Sequence, residues 1–210
     1  AEREIDAAGC YVTPGLIDAH VHVNESCSLL GTKADIVCPP SCVTTAIDPG
    51  SAGIYNFKGF YQNDIVPSWT TIKAAVSPTK YGVETGAHEE VPDPVYGTPE
   101  ALRPLFEKYG DVLVGIKQRV NYQVTGEYGL RSLEQSVKTA EILRKEGFRC
   151  HVMVHFGPLA EGIQVSDVVG MLKPGDLMTH IYRPNKGTTI FGKDGKVLEC
   201  MKEARKRGVI

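Results

Sequence analysis

Short apolar segments alternate with amphipathic ones along this chain, and that alternation limits its fold more than any other feature. The apolar segments are rich in β-branched residues, and several are nearly continuous, as in parallel strands covered on both faces. They predict six strands, over residues 15–23, 43–48, 71–77, 112–118, 149–155 and 176–181. Strands that each lead into a helix-bearing connection indicate an α/β fold with right-handed crossovers.

The helices between these strands have recognisable ends. Thr98 before a proline predicts a helix N-cap, and Gly110 predicts the end of the same helix. Ser132 and Gln135 match a capping box, which predicts that a second helix begins there. A last helix is predicted over residues 197–207.

An open doubly wound sheet and a closed barrel share this alternation. The barrel is favoured because polar candidate residues stand at the ends of several different strands, as they do in TIM barrels. A complete eight-stranded barrel needs about 250 residues, whereas this chain has 210. Residues 208–210 look like the beginning of a seventh strand. We therefore predict an incomplete TIM (β/α) barrel of about six strands plus the start of a seventh.

Composition excludes several classes of partner. The formal net charge is -2, so no basic field attracts nucleic acid. No apolar segment approaches the roughly 20 residues needed to cross a membrane. Six scattered cysteines without a CxxC pair indicate reduced thiols rather than a disulfide framework. We expect a cytoplasmic protein that acts on a small-molecule substrate.

Side chains that can bind metal stand at the ends of four predicted strands. His20 and His22 lie one residue apart at the end of the first strand, so on a strand they would share a face. Lys117 ends the fourth strand, His155 the fifth and His180 the sixth. Clustered imidazoles without a metal would repel one another on protonation and leave nitrogens unpaired. The pattern therefore indicates a metal centre rather than packing.

The segment PGLIDAHVHV, which contains His20 and His22, resembles the first-strand signature of the amidohydrolase superfamily of metal-dependent hydrolases. The segments CVTTAIDPGSAG, GIKQR, VHFG and LKPGDLMTHIY resemble its second, fourth, fifth and sixth strands, in the same order. The likeness is greatest to the amidohydrolase/deacetylase branch, which is related to dihydroorotases. Because IDAAGCYVT resembles the tail of the family's N-terminal β-sandwich, residues 1–13 are interpreted as a sandwich remnant and 14–210 as a partial barrel.

The resemblance implies a role for each matched residue. His20 and His22 would bind the more buried of two divalent metal ions, and His155 and His180 would bind the other. Lys117, carboxylated by carbon dioxide to a carbamate, would bridge both ions. Zinc is the expected metal, since imidazole and oxygen ligands suit it. The implied reaction is hydrolysis of an amide or ester bond, as in deacetylases, by metal-bound hydroxide.

Two further residues are candidates for binding substrate. Ser51 lies in the segment DPGSAG after the second strand, which is either a plain turn or a loop facing the substrate. Arg119 lies two residues after Lys117 and could bind a substrate carboxylate or form a salt bridge. His151 has the parity of His155 but precedes it by four residues, so we predict a structural role.

One family residue has no counterpart here. The family places an aspartate at the end of its eighth strand, and no aspartate of this chain stands in that context. We therefore expect the 210 residues alone to have at most feeble hydrolase activity, as a fragment or as a chain completed by another. Two alternatives stay open: a cyclic amidase of dihydroorotase or hydantoinase type, and a non-catalytic truncated remnant. The exposed sheet edges of an unfinished barrel also predict a homo-oligomer.

Overall fold

A parallel β-sheet forms the centre of the computed structural model, which describes residues 4–83, 90–183 and 188–210. Within these residues the sheet has six strands in chain order, each parallel to its neighbours. The strands are β1 Leu16–Asp18, β2 Val43–Pro49, β3 Thr71–Val76, β4 Leu113–Arg119, β5 His151–His155 and β6 Leu177–Thr179. Sequential parallel strands joined by crossovers are the arrangement of a (β/α) barrel. The predicted incomplete barrel is confirmed.

Helices occupy the connections between the strands and bury one face against the sheet. The α-helices of the described residues are α1 Ala34–Val37, α2 Phe57–Phe60, α3 Pro99–Tyr109, α4 Tyr122–Thr125, α5 Arg131–Lys145, α6 Val165–Met171 and α7 Glu199–Lys206. Shorter helical turns are Pro39–Ser41, Tyr61–Ile65, Pro94–Gly97 and Gly126–Tyr128. Phe57, Phe106, Leu133 and Phe156 are among the large side chains fully buried in the core. Across the described ranges, no helix combines the length and apolarity that a membrane span requires.

The helix ends test the local sequence signals. Thr98 caps α3 as predicted, because its hydroxyl accepts a hydrogen bond from the Ala101 backbone N–H at 3.3 Å. The capping box predicted at Ser132 is wrong. Helix α5 begins at Arg131 with Leu130 as its N-cap, two residues before the predicted cap, and the Ser132 hydroxyl instead donates to the Pro92 carbonyl. A tertiary hydrogen bond has therefore replaced the local one.

The first strand is shorter than predicted. Residues 15–23 were expected to be extended, but β1 covers only Leu16–Asp18. The Asp18 carboxylate accepts a hydrogen bond from the His20 backbone N–H at 2.9 Å, which turns the chain out of the ladder. Val21 then returns to the sheet through a 3.2 Å bond to the Ile47 carbonyl.

The end of the chain lies along β6. The Ile210 N–H donates to the Asp176 carbonyl at 2.9 Å, and the Ile210 carbonyl accepts from the Met178 N–H at 2.8 Å. These two bonds have the pattern of a parallel strand pair. Residues 208–210 therefore take the position predicted for the beginning of a seventh strand.

The segment before β1 has no regular structure. Residues 4–13 contain a turn closed by a 3.0 Å bond from the Cys10 N–H to the Ala7 carbonyl, and no strand. Tyr11 and Val12 are highly exposed. The division into a sandwich remnant and a barrel stays a prediction.

Asp176, fully buried before β6, provides a test of the fold. Its carboxylate accepts the backbone N–H groups of Val152 and Lys173, each at 2.8 Å, and pairs with Arg144. Breaking a buried charge pair from one side is strongly destabilising, so Asp176→Asn should lower the free energy of unfolding by about 3 kcal/mol. Urea denaturation measures this. The control is Asp111→Asn at an exposed position, where we expect a change under about 0.5 kcal/mol; equal effects would contradict the assignment.

Candidate metal centre

A cavity of about 330 Å³ opens at the edge of the sheet where the parallel strands end. Its lining residues are His20, His22, Leu30, Pro49, Val83, Lys117, Arg119, His155 and His180. All five predicted metal-binding residues therefore meet in one place, together with one of the two predicted substrate-binding residues. Ser51 is not part of the lining and lies behind His22.

The four imidazole rings are close neighbours. The His180 ring centroid lies 4.4 Å from that of His155 and 4.7 Å from that of His20, and His20 lies 5.7 Å from His22. Two imidazoles on one tetrahedral metal ion would have centroids about 5 Å apart. The rings therefore have a spacing that suits shared ions. In the part of the chain that the structure describes, however, no three His, Cys, Asp or Glu side chains form a complete metal-binding group as they stand.

His180 has an unusual backbone conformation. It follows β6 directly with φ +65°, in the left-handed region that non-glycine residues rarely adopt. Strain of this kind is often concentrated at functional sites. The strained residue His180 is also the one whose ring lies close to those of both His155 and His20.

The segment with His20 and His22 is held by hydrogen bonds rather than by a strand. The expectation that the two rings share a strand face is wrong, because β1 ends at Asp18. The Val23 N–H donates to Asp48 at 2.8 Å, which ties the segment to the end of β2. His20 and His22 line the cavity because the turn at Asp18 and the bond from Val23 to Asp48 fix the path of the backbone between them.

Ser51 contacts His22 directly. The Ser51 Oγ lies 2.6 Å from His22 Nδ1, and the Ser51 N–H donates to Asp48 at 2.8 Å. With Nδ1 engaged by the serine, Nε2 is the His22 nitrogen left to bind a metal. Ser51 is completely buried; its predicted contact with substrate stays a prediction.

Asp48 is a site residue that the sequence reasoning did not single out. It is completely buried and accepts from both Val23 and Ser51. Burial raises the pKa of its carboxyl to about 6, although those hydrogen bonds and Lys117 oppose the rise. The sequence did contain a signal for this role, because an aspartate inside an apolar strand predicts a buried carboxylate that needs hydrogen-bond partners.

The environment of the four cavity histidines lowers their pKa values, which favours the uncharged form. Burial, reinforced by the nearby Lys117 cation, lowers the pKa to about 3 for His20, about 4 for His22 and about 2 for His155. The same causes lower the pKa of His180. Neutral imidazoles have no proton to lose before they bind a metal ion, so this donor set fits the implied metals.

Lys117 is 2% exposed and lines the cavity. Burial lowers its pKa to about 7, and Arg119 acts in the same direction, while Asp48 opposes. Its Nζ has a weak contact of 3.8 Å with the Met153 sulfur. Gly50, at φ +84°, packs against the Lys117 side chain so closely that a Cβ there would be 2.7 Å from the Lys117 Cβ. With its pKa at about 7, part of the Lys117 amine is neutral near neutral pH, and the neutral form is the one that can react with carbon dioxide.

Arg119 forms an ion pair with Glu90 at 2.6 Å, and both side chains are largely buried. Of the two roles predicted for Arg119, the structure therefore contains the salt bridge, while binding of a substrate carboxylate stays a prediction. Sequence reasoning missed Glu90 because it lies in the polar run HEEVPD, which offers no signal of burial.

Comparisons with known proteins agree with the fold. A deacetylase of Agrobacterium fabrum is 32% identical over 196 residues, which cover 90% of this chain and 45% of that protein. The crystal structure of an adenine deaminase matches with a TM-score of 0.84 and 26% identity, over 95% of this chain and 52% of that one. That of a dihydroorotase matches with a TM-score of 0.81 and 27% identity, over 93% and 49%. The chain thus spans about half the length of these relatives, and no family model matches it.

Proposed function

We propose that this chain, which belongs to the amidohydrolase superfamily, forms the metal-binding part of a hydrolase for an amide or ester bond of a small molecule. One observation carries the proposal. Four imidazoles and a buried lysine, from the segment after β1 and from the ends of β4, β5 and β6, line a single cavity. The similarity to a deacetylase over 90% of the chain supports a deacetylase-like reaction.

The proposed ligands are those expected from the sequence. His20 and His22 would hold one divalent ion and His155 and His180 a second, with zinc as the proposed metal. Lys117 would bridge them as a carbamate. The ring of His180, close to both His155 and His20, would lie where the two ligand sets meet. Bound there, the ions would supply a nucleophile from water and polarise the carbonyl to be cleaved.

The other residues position this donor set. Ser51 Oγ would accept the Nδ1 proton of His22, which selects the tautomer whose Nε2 faces the cavity. Asp48 would hold both Ser51 and Val23 in place by accepting their backbone N–H groups. Glu90 would keep the Arg119 guanidinium at the cavity wall.

A cyclic amidase of dihydroorotase type is the second candidate. The similarity to a dihydroorotase is consistent with it, and Arg119 is the cation that a substrate carboxylate would need. The deacetylase-like reaction ranks first because Arg119 is already bonded to Glu90. The non-catalytic remnant remains the alternative if no metal binds.

The cellular setting is also a proposal. All six cysteines are free thiols, which is typical of the reducing cytoplasm. We propose a cytoplasmic protein with a small-molecule substrate and no nucleic-acid or membrane partner, and with homo-oligomerisation through the sheet edges.

The test is metal-dependent hydrolysis by the whole protein that carries this chain. The protein is freed of metal with a chelator and assayed with an acetyl ester, an N-acetyl amide, dihydroorotate and adenine, before and after adding zinc. We expect activity to fall at least about 100-fold without metal, to return with zinc, and to be greatest on an acetyl compound. Hydrolysis of dihydroorotate instead would favour the cyclic amidase. Absence of both zinc binding and hydrolysis would favour the remnant.

A further inference from the structure

One side of the cavity is apolar. Leu30, Pro49 and Val83, here called the apolar wall, come from the connection after β1, the end of β2 and the connection after β3. Leu30 is 50% exposed, whereas Val83 is 6% exposed. A half-exposed leucine beside four imidazoles leaves hydrocarbon facing water at the mouth of the site. Nothing in the proposed metal chemistry uses it.

The apolar wall is held in place by hydrogen bonds that bypass the metal ligands. The Ser28 hydroxyl donates to the Val83 carbonyl at 2.9 Å, and its oxygen accepts from the Leu30 N–H at 3.3 Å. The Val83 N–H donates to the Gly50 carbonyl at 3.1 Å. Three connections are thereby locked together, so the wall is a preformed surface rather than a set of loose side chains.

The cations lining the cavity are already engaged in other roles. Arg119 is ion-paired with Glu90, and Lys117 lines the cavity together with the four imidazoles as a proposed metal ligand. A carboxylate against the apolar wall would lose its water shell without gaining a donor from the three residues of the wall. A hydrocarbon group in the same place would bury the exposed part of Leu30 and gain hydrophobic stabilisation.

We propose that the apolar wall binds the hydrocarbon part of an uncharged acyl group, and that Leu30 is a specificity-determining residue. This inference rests on the proposed hydrolase function and names its substrate class: acetyl and short alkanoyl compounds, rather than acyl groups that end in a carboxylate.

The test compares two acyl groups of the same shape in the whole metal-loaded protein. The 4-methylpentanoyl group ends in two methyls where the succinyl group ends in a carboxylate. Both are attached to the leaving group of whichever acetyl compound the protein hydrolyses. We expect kcat/KM for the 4-methylpentanoyl compound to exceed that for the succinyl compound at least about tenfold.

Charge at Leu30 should change this preference. Leu30→Arg provides a partner for the carboxylate and is expected to lower the ratio about tenfold, while Leu30→Glu should raise it. Leu29→Arg is the matched control, because Leu29 is 83% exposed and does not line the cavity. It adds the same charge at an exposed position outside the cavity, where the high dielectric constant of water weakens the interaction with the substrate, so we expect a change under about threefold.

The outcomes separate this inference from the function on which it rests. A wild-type ratio near one, failure to hydrolyse the 4-methylpentanoyl compound, or equal effects of Leu30→Arg and Leu29→Arg overturns the inference. Hydrolysis of the acetyl compound in the same experiment would leave the proposed function standing. A zinc-loaded protein that hydrolyses none of these compounds defeats both.

Discussion

The His155→Ala variant of the whole protein is expected to lose zinc affinity and kcat/KM, each by at least about 100-fold. His155 ends β5 inside the cavity, with its ring 4.4 Å from that of His180. Removing this imidazole leaves a proposed ion with an incomplete ligand set, because the alanine side chain has no atom that can coordinate a metal. Metal content after dialysis against a buffer of defined free zinc measures the first effect, and steady-state kinetics the second.

The same strand offers a matched control. His151 begins β5, at the end of the strand far from the cavity, and is exposed. Its replacement by alanine should leave both zinc affinity and kcat/KM within about twofold, as surface substitutions usually do. Similar losses in the two variants would mean that the effect comes from the strand rather than from the metal centre. Full zinc occupancy in His155→Ala would remove this histidine from the ligand set.

The kcat/KM of the Lys117→Met variant is expected to be at least about 100-fold lower than that of the parent protein. The variant should also show no carbamate signal. Methionine has an unbranched side chain one atom shorter than that of lysine, and it has no amine to react with carbon dioxide. In the parent protein, carbon-13 NMR after exposure to labelled carbon dioxide should show a carbamate resonance. That resonance should be absent from the variant.

Stability separates a chemical loss from a folding defect in this variant. Lys117 is 2% exposed, and an apolar side chain avoids the cost of desolvating an ammonium group there. We therefore expect an unfolding midpoint in urea no lower than that of the parent chain without metal. Lys73→Met is the control, since Lys73 lies on β3 and bonds outward to the Asp111 carbonyl at 2.6 Å. A carbamate resonance that survives in Lys117→Met, or disappears in Lys73→Met, would contradict the assignment.

Much of the architecture was predictable because its signals are local. Apolar runs marked all six strands, and Thr98 before proline marked the start of α3. Errors arose where a distant partner competed with the local signal. Ser132 bonds to Pro92, 40 residues away in sequence, and Asp18 ends β1 early by accepting the His20 N–H.

The candidate site was predictable only in its outline. Motif spacing placed Lys117 and His155 at strand ends, and parallel strands in chain order bring such ends to one edge. Asp48 and Glu90 were missed, because their importance lies in burial and in the groups they contact, which a single sequence does not contain.

The amino-acid sequence by itself determined the order of strands and helices, which follows from residue type and spacing, and it supplied the candidate metal-binding side chains. Tertiary structure alone decided which nitrogen of His22 meets Ser51, that His180 adopts a left-handed backbone between two other rings, and that Arg119 pairs with Glu90. The physical reason is that hydrogen bonds, ion pairs and strained backbone depend on partners brought together by packing. Those partners are separated along the chain by loops whose path no local pattern specifies.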